Sequence, residues 1–122
     1  MITPKLGDEN LFKAKIVHLI ADNNAEQALA MLSEHYHVSV PKLKVGMPKG
    51  EAKHQGCYVG KTKTIHIANG SNLNDPYMIL HEFYHHLRTS GTTHVHRGTE
   101  KNAEKFAKDY IATFYTYSAA SP

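Results

Sequence analysis

An α+β domain is the fold class this chain predicts, and three observations carry that expectation. Apolar residues recur at helical spacing through the first third, the period shifts to two between Val38 and Ile67, and helical spacing with start and stop signals returns from Pro76. At 122 residues, one domain spanning 1–122 is expected, because domains typically run about 50 to 250 residues. With 41% apolar residues, a self-sufficient core is expected without covalent staples. Cys57 is the single cysteine, so no internal disulfide or Cys-rich zinc finger is possible.

Each element has its own signal. Leu11, Phe12, Ile16, Leu19 and Ile20 form one apolar stripe, which resumes after the polar Asp22-Asn23-Asn24 with Ala25, Ala28, Leu29 and Leu32. One bent helix or two short ones is expected between about residues 7 and 36. Val38-Ser39-Val40 and Leu43-Lys44-Val45 read as an irregular strand weakened by Pro41, and Gly46 to Gly50 as a loop. Gln55 to Val59 and Lys63 to Ile67 are β-prone runs joined by Gly60-Lys61-Thr62, which is hairpin chemistry. A small, mostly antiparallel sheet is expected. Asp75 can cap free amides and Pro76 suits a first helical position, so a helix should run from Pro76 to about Ser90, with Gly91 ending it. Thr99 is placed to cap a last helix carrying Ala103, Ala107, Ile111 and Phe114 on one stripe, with Phe106, Tyr110 and Tyr117 beside it and a frayed tail from Ser118.

Charge and composition narrow the function classes. The formal net charge is +3, with lysines scattered rather than gathered into a stripe, so nucleic acid is not an expected partner. No apolar run is long enough for a membrane span and no signal-peptide pattern opens the chain, so a cytoplasmic protein is expected. The anomaly is ten histidines. Histidine titrates near neutral pH and is the commonest metal ligand, so this excess asks for metal or acid–base chemistry.

The sharpest feature is His81-Glu82-Phe83-Tyr84-His85, an H-E-x-x-H pattern on the expected third helical segment. Residues four apart sit one turn above each other, so both imidazoles can address one ion. Glu82 is rotated by about 100° from His81. That offset keeps it off the metal and turns it toward a water that the metal activates, where a carboxylate can take a proton and later hand it to a leaving amine. By chance alone, ten His and seven Glu yield the pattern in roughly one shuffled chain in twenty; the helix signals around it and a third ligand downstream add the weight.

A catalytic zinc typically takes three protein ligands. A downstream histidine in the extended motif would require Gly at 88 and His at 91, where Arg88 and Gly91 stand. A carboxylate on the last helix remains, with Glu100 and Glu104 one turn apart. With about 100° per residue, Glu100 falls about 45° from the direction of the buried stripe and Glu104 about 85°. A metal held between packed helices favours Glu100, leaving Glu104 as a supporting or substrate-side group.

The run Ile79 to Leu87, followed by Glu100-Lys101-Asn102-Ala103-Glu104-Lys105-Phe106-Ala107, resembles the HExxH then E-x-x-A-x-x-F-A signature of ImmA/IrrE-type metallopeptidases. The element order is also similar to that of the minimal single-domain gluzincins called minigluzincins. Tyr84 stands where the ImmA/IrrE pattern usually has a small residue. The resemblance implies a minimal zincin-like fold, Zn2+ as cofactor, His81, His85 and Glu100 as ligands, and Glu82 as catalytic base. It also places the strand bearing Thr64 and His66 beside the cleft, with His66 on the face away from the core. His94 and His96, in the loop between the two helices, are candidate oxyanion donors, whereas His86 falls off the metal face. The expected function is therefore a zinc-dependent endopeptidase acting on a peptide or protein substrate. The alternative is a zinc-binding structural or regulatory module with latent or no peptidase activity.

Overall fold

The computed structural model describes residues 5–51, 54–89 and 99–120. It is an α+β arrangement of four helices and a three-stranded sheet. The first helical stretch is two helices, α1 (Lys5–Ala21) and α2 (Ala25–Tyr36). Asn23 separates them at φ 66°, a left-handed conformation that asparagine tolerates better than most residues. Their stripes meet in the core: Ile16, Ile20, Leu29 and Leu32 are all fully buried.

The sheet comprises β1 (Lys42–Val45), β2 (Gly56–Val59) and β3 (Thr64–Ile67). Pro41 lies just ahead of β1, and the Val38 to Val40 run stays outside the strand. β2 and β3 form the expected hairpin, antiparallel, with Tyr58 opposite Ile65 and Cys57 opposite His66. The expectation of a mostly antiparallel sheet needs correction. The strand order is β1-β3-β2, and β1 runs parallel to β3, so the sheet is mixed. With β3 between them, β1 and β2 occupy the two edges.

A short 3-10 turn, Gly70–Asn74, leads into α3 (Pro76–Thr89). Asp75 caps it as expected: its side-chain oxygen accepts from the Met78 amide at 3.3 Å. The expected stop at Gly91 lies outside the described residues. Helix α4 (Thr99–Ala120) begins at Thr99, and its backbone continues through Ser118 to Ala120; the rest of the expected frayed tail lies outside the described residues. Tyr117 is exposed at 38% and Tyr115 at 66%, outside the buried stripe.

α3 is the hub. It packs on the sheet through β2 and β3, and on α1, α2 and α4. Ile79, Leu80 and Phe83 on α3, Ile65 and Ile67 on β3, and Ala103 and Ala107 on α4 are all fully buried. The two alanines let α4 lie close against its neighbours. Tyr84, bulky for its place, meets Phe106 of α4 at 5.4 Å between centroids and lies under the Arg88 guanidinium at 5.9 Å. Among the described residues, no helix is long and apolar enough to cross a membrane.

Candidate metal centre

Because α3 packs against the sheet and the other helices, the half-buried stripe that faces the cleft is fixed in direction. His81 and His85 stand one turn apart on that stripe, ring centroids 5.3 Å apart and nearly edge to face. Helix α4 brings Glu100 in its first turn across the gap. The carboxylate accepts from His81 Nε2 at Oε1, 2.9 Å away, and its Oε2 lies 3.1 Å from His85 Nε2. Among the described residues these three form the one group of His, Cys, Asp or Glu side chains able to hold a metal ion, with donor atoms all within 4.8 Å of one another.

The residues fit such an ion. Tetrahedral coordination at about 2.0 to 2.2 Å puts donor atoms about 3.3 to 3.6 Å apart, and the separations here, from 2.9 Å to within 4.8 Å, span that spacing. Two imidazoles and a carboxylate suit a borderline divalent cation. Nδ1 of His81 is buried and has no hydrogen-bond partner among the described residues; the Tyr77 ring packs against His81 instead, at 5.7 Å.

Glu82 does not join the cluster, as its rotation on the helix dictates. It is 8% exposed and lines the same cleft as the three ligand candidates. Burial pushes its carboxyl up to about 7, with His81 pulling the other way and Glu100 adding to the rise. A carboxylate poised near neutrality is suited to exchanging protons with a reacting group. Burial also lowers His85 below its ordinary value, against the pull of Glu100, which leaves a neutral ring with a lone pair to offer.

The cleft, of about 560 Å³, is walled on one side by His81, Glu82, His85 and Glu100 and on the other by β2 residues Gly56, Cys57 and Tyr58. Glu51 and His54, 3.6 Å apart, stand at its rim. The expectation that β3 borders the cleft is corrected by the strand order. Both flanks of β3 are occupied, by β1 and β2, so its backbone has no free edge for a substrate. His66 accordingly does not line the cleft; its ring lies 3.0 Å from the Gly46 carbonyl, to which Nδ1 donates. Thr64 is buried, its hydroxyl donating to the Thr62 carbonyl at 3.1 Å. Glu104 is exposed one turn beyond Glu100 and does not enter the metal group. His94 and His96 lie outside the described residues.

Two residues of this region escape a sequence reading. His86, expected off the metal face as a structural or solvated residue, is fully buried. Its Nε2 lies 2.7 Å from the Ser39 carbonyl and its Nδ1 lies 2.7 Å from the Tyr58 hydroxyl. Tyr58 carried no motif. The usable signal was the hairpin register, since a residue opposite Ile65 must share its core-facing side.

The chain was compared with known protein families, with curated proteins and with solved structures, and it matches none of them.

Proposed function

We propose that this chain is a zinc-dependent metallopeptidase that hydrolyses bonds within peptides or unfolded protein. The observation that carries the reading is the convergence of His81, His85 and Glu100 on one point beside the buried carboxylate of Glu82, at the wall of an open cleft. Zinc held there would supply Lewis acidity, polarising a carbonyl and making water easier to deprotonate. Glu82 takes the proton from the attacking water at a carboxylate oxygen and returns it to the departing amine. Its burial favours the protonated form, which suits a carboxylate that must take up a proton before handing it on. Across the cleft, β2 is an edge strand whose outward amides and carbonyls can pair with an extended chain, which is how a sheet edge selects peptides over folded surfaces.

The reading as a purely structural zinc module finds less support. Structural zinc sites usually close with four protein ligands, whereas the set here ends at three among the described residues. The deciding experiment measures bound zinc after dialysis and follows digestion of an unfolded protein by mass spectrometry, for wild type and Glu82→Gln. About one zinc per chain in both proteins, with fragments from wild type alone, is the expected result. Zinc in both and fragments from neither would leave the module in its place.

A further inference from the structure

His86 follows the second candidate ligand directly, yet its ring turns about 100° away from the metal and into the seam between α3 and the sheet. A fully buried imidazole in that position is costly unless both nitrogens are satisfied, and here both are. The Ser39 carbonyl can only accept, so Nε2 carries the proton and donates to it. Nδ1 then has a lone pair and accepts from the Tyr58 hydroxyl. The Thr89 hydroxyl lies 3.2 Å from the His86 carbonyl and 3.4 Å from the Tyr58 oxygen, with its single proton available to either. One ring thereby ties three segments: the α2–β1 connection, the metal-bearing helix and the edge strand. Tyr58 and Thr89 both line the cleft.

We propose that His86 is a positioning residue that sets the width of the peptide cleft, using its two opposed hydrogen bonds to hold β2 at a fixed distance from the metal-bearing face of α3. A phenyl ring would fill the space but leave the Ser39 carbonyl and the Tyr58 hydroxyl without partners. A glutamine amide offers one donor and one acceptor at a separation close to that of the two ring nitrogens. The inference rests on the reading of the cleft as a peptide site.

The test uses zinc-loaded Glu82→Gln protein, which should bind peptide without cutting it, and fluorescently labelled peptides from unfolded casein as probe. Adding His86→Phe should weaken peptide binding about tenfold or more, leave zinc affinity within about threefold because no ligand is touched, and speed hydrogen exchange at the β2 amides. His86→Gln should restore most of the binding, and Tyr58→Phe, which breaks one bond only, should fall between. A phenylalanine variant that binds peptide like its parent, whatever its melting temperature, overturns the proposal, as does a loss of zinc affinity equal to the loss of peptide affinity. If His86→Phe does not fold, Tyr58→Phe decides by the same two measurements. A parent that holds no casein peptide removes the cleft and the proposal together. A parent that holds peptide while zinc-loaded wild type cuts none refutes only the peptidase reading.

Discussion

Glu82 should oppose stability and serve catalysis at once, and the two effects can be measured separately. In the metal-free protein its carboxyl rises from 4.5 to about 7, chiefly through burial. The folded state therefore holds this proton more tightly than the unfolded state, and the cost of ionising it grows as pH climbs from 4.5 toward 7 and is complete above. At about 1.4 kcal/mol for each pH unit, that cost is on the order of 3 kcal/mol at pH 8 and about 1 kcal/mol at pH 5. Glu82→Gln keeps the shape and removes the charge, so in EDTA the variant should resist urea better than wild type by roughly these amounts, with the advantage shrinking as pH falls. With zinc restored, the same change should lower peptide hydrolysis by about 10² to 10⁴. Urea titrations at pH 5 and 8, paired with a cleavage assay, read both arms. A variant that is less stable than wild type at pH 8 would show the carboxylate doing structural work, and a variant that still cleaves at the wild-type rate would remove Glu82 as the base.

Glu100→Ala should weaken zinc retention by more than about 10²-fold, while Glu104→Ala stays within about threefold, since only the former touches the imidazoles; competition with a chromophoric chelator would show it, and the reverse order would place the ligand one turn along α4. Burial holds the Tyr110 and Tyr36 phenols above their ordinary 10.0, and their oxygens are 2.7 Å apart. Their contribution to stability is thus full below pH 10 and drains as pH rises beyond it, so the urea midpoint should fall above pH 10 in wild type and fall less steeply in the Tyr36→Phe/Tyr110→Phe double variant. The Cys57 thiol is pushed up by burial and by the nearby Glu51 and Glu82 carboxylates; it should react with a disulfide reagent at pH 7.5 several-fold more slowly than a free thiol, and labelling at the free-thiol rate would contradict that environment.

The helical half of this architecture was readable because helices are local. The Asp75-Pro76 start, the H-E-x-x-H face and the phase of Glu100 against Ala103 and Ala107 depend on residues within a few turns, and the structure places each as the 100° geometry requires. The sheet was less readable because pairing partners are not local. A period of two identifies a strand and its buried face, as it does for Ile65 and Ile67, but carries no information on which neighbour lies alongside or in which direction it runs. The strand order therefore stayed hidden, and with it the fact that β2 rather than β3 borders the cleft. For that reason His66, expected beside the cleft, instead meets the Gly46 carbonyl. His86 stayed hidden because a histidine one residue past a ligand looks the same in sequence whether it meets water or, as here, the Ser39 carbonyl and the Tyr58 hydroxyl.

Helix α1 contributes no side chain to the cleft, yet α4 lies along it as well as along α3, with Lys13 paired to Asp109 and placed 5.5 Å over the Tyr110 ring. The helix that carries the third candidate ligand is thereby braced from the opposite end of the sequence. An attempt to trim the domain to its motif-bearing half would strip the support from one side of α4 and leave Glu100 on a swinging arm. Cut into two pieces, the chain should regain zinc binding only when both are supplied, so the metal centre itself would report reassembly.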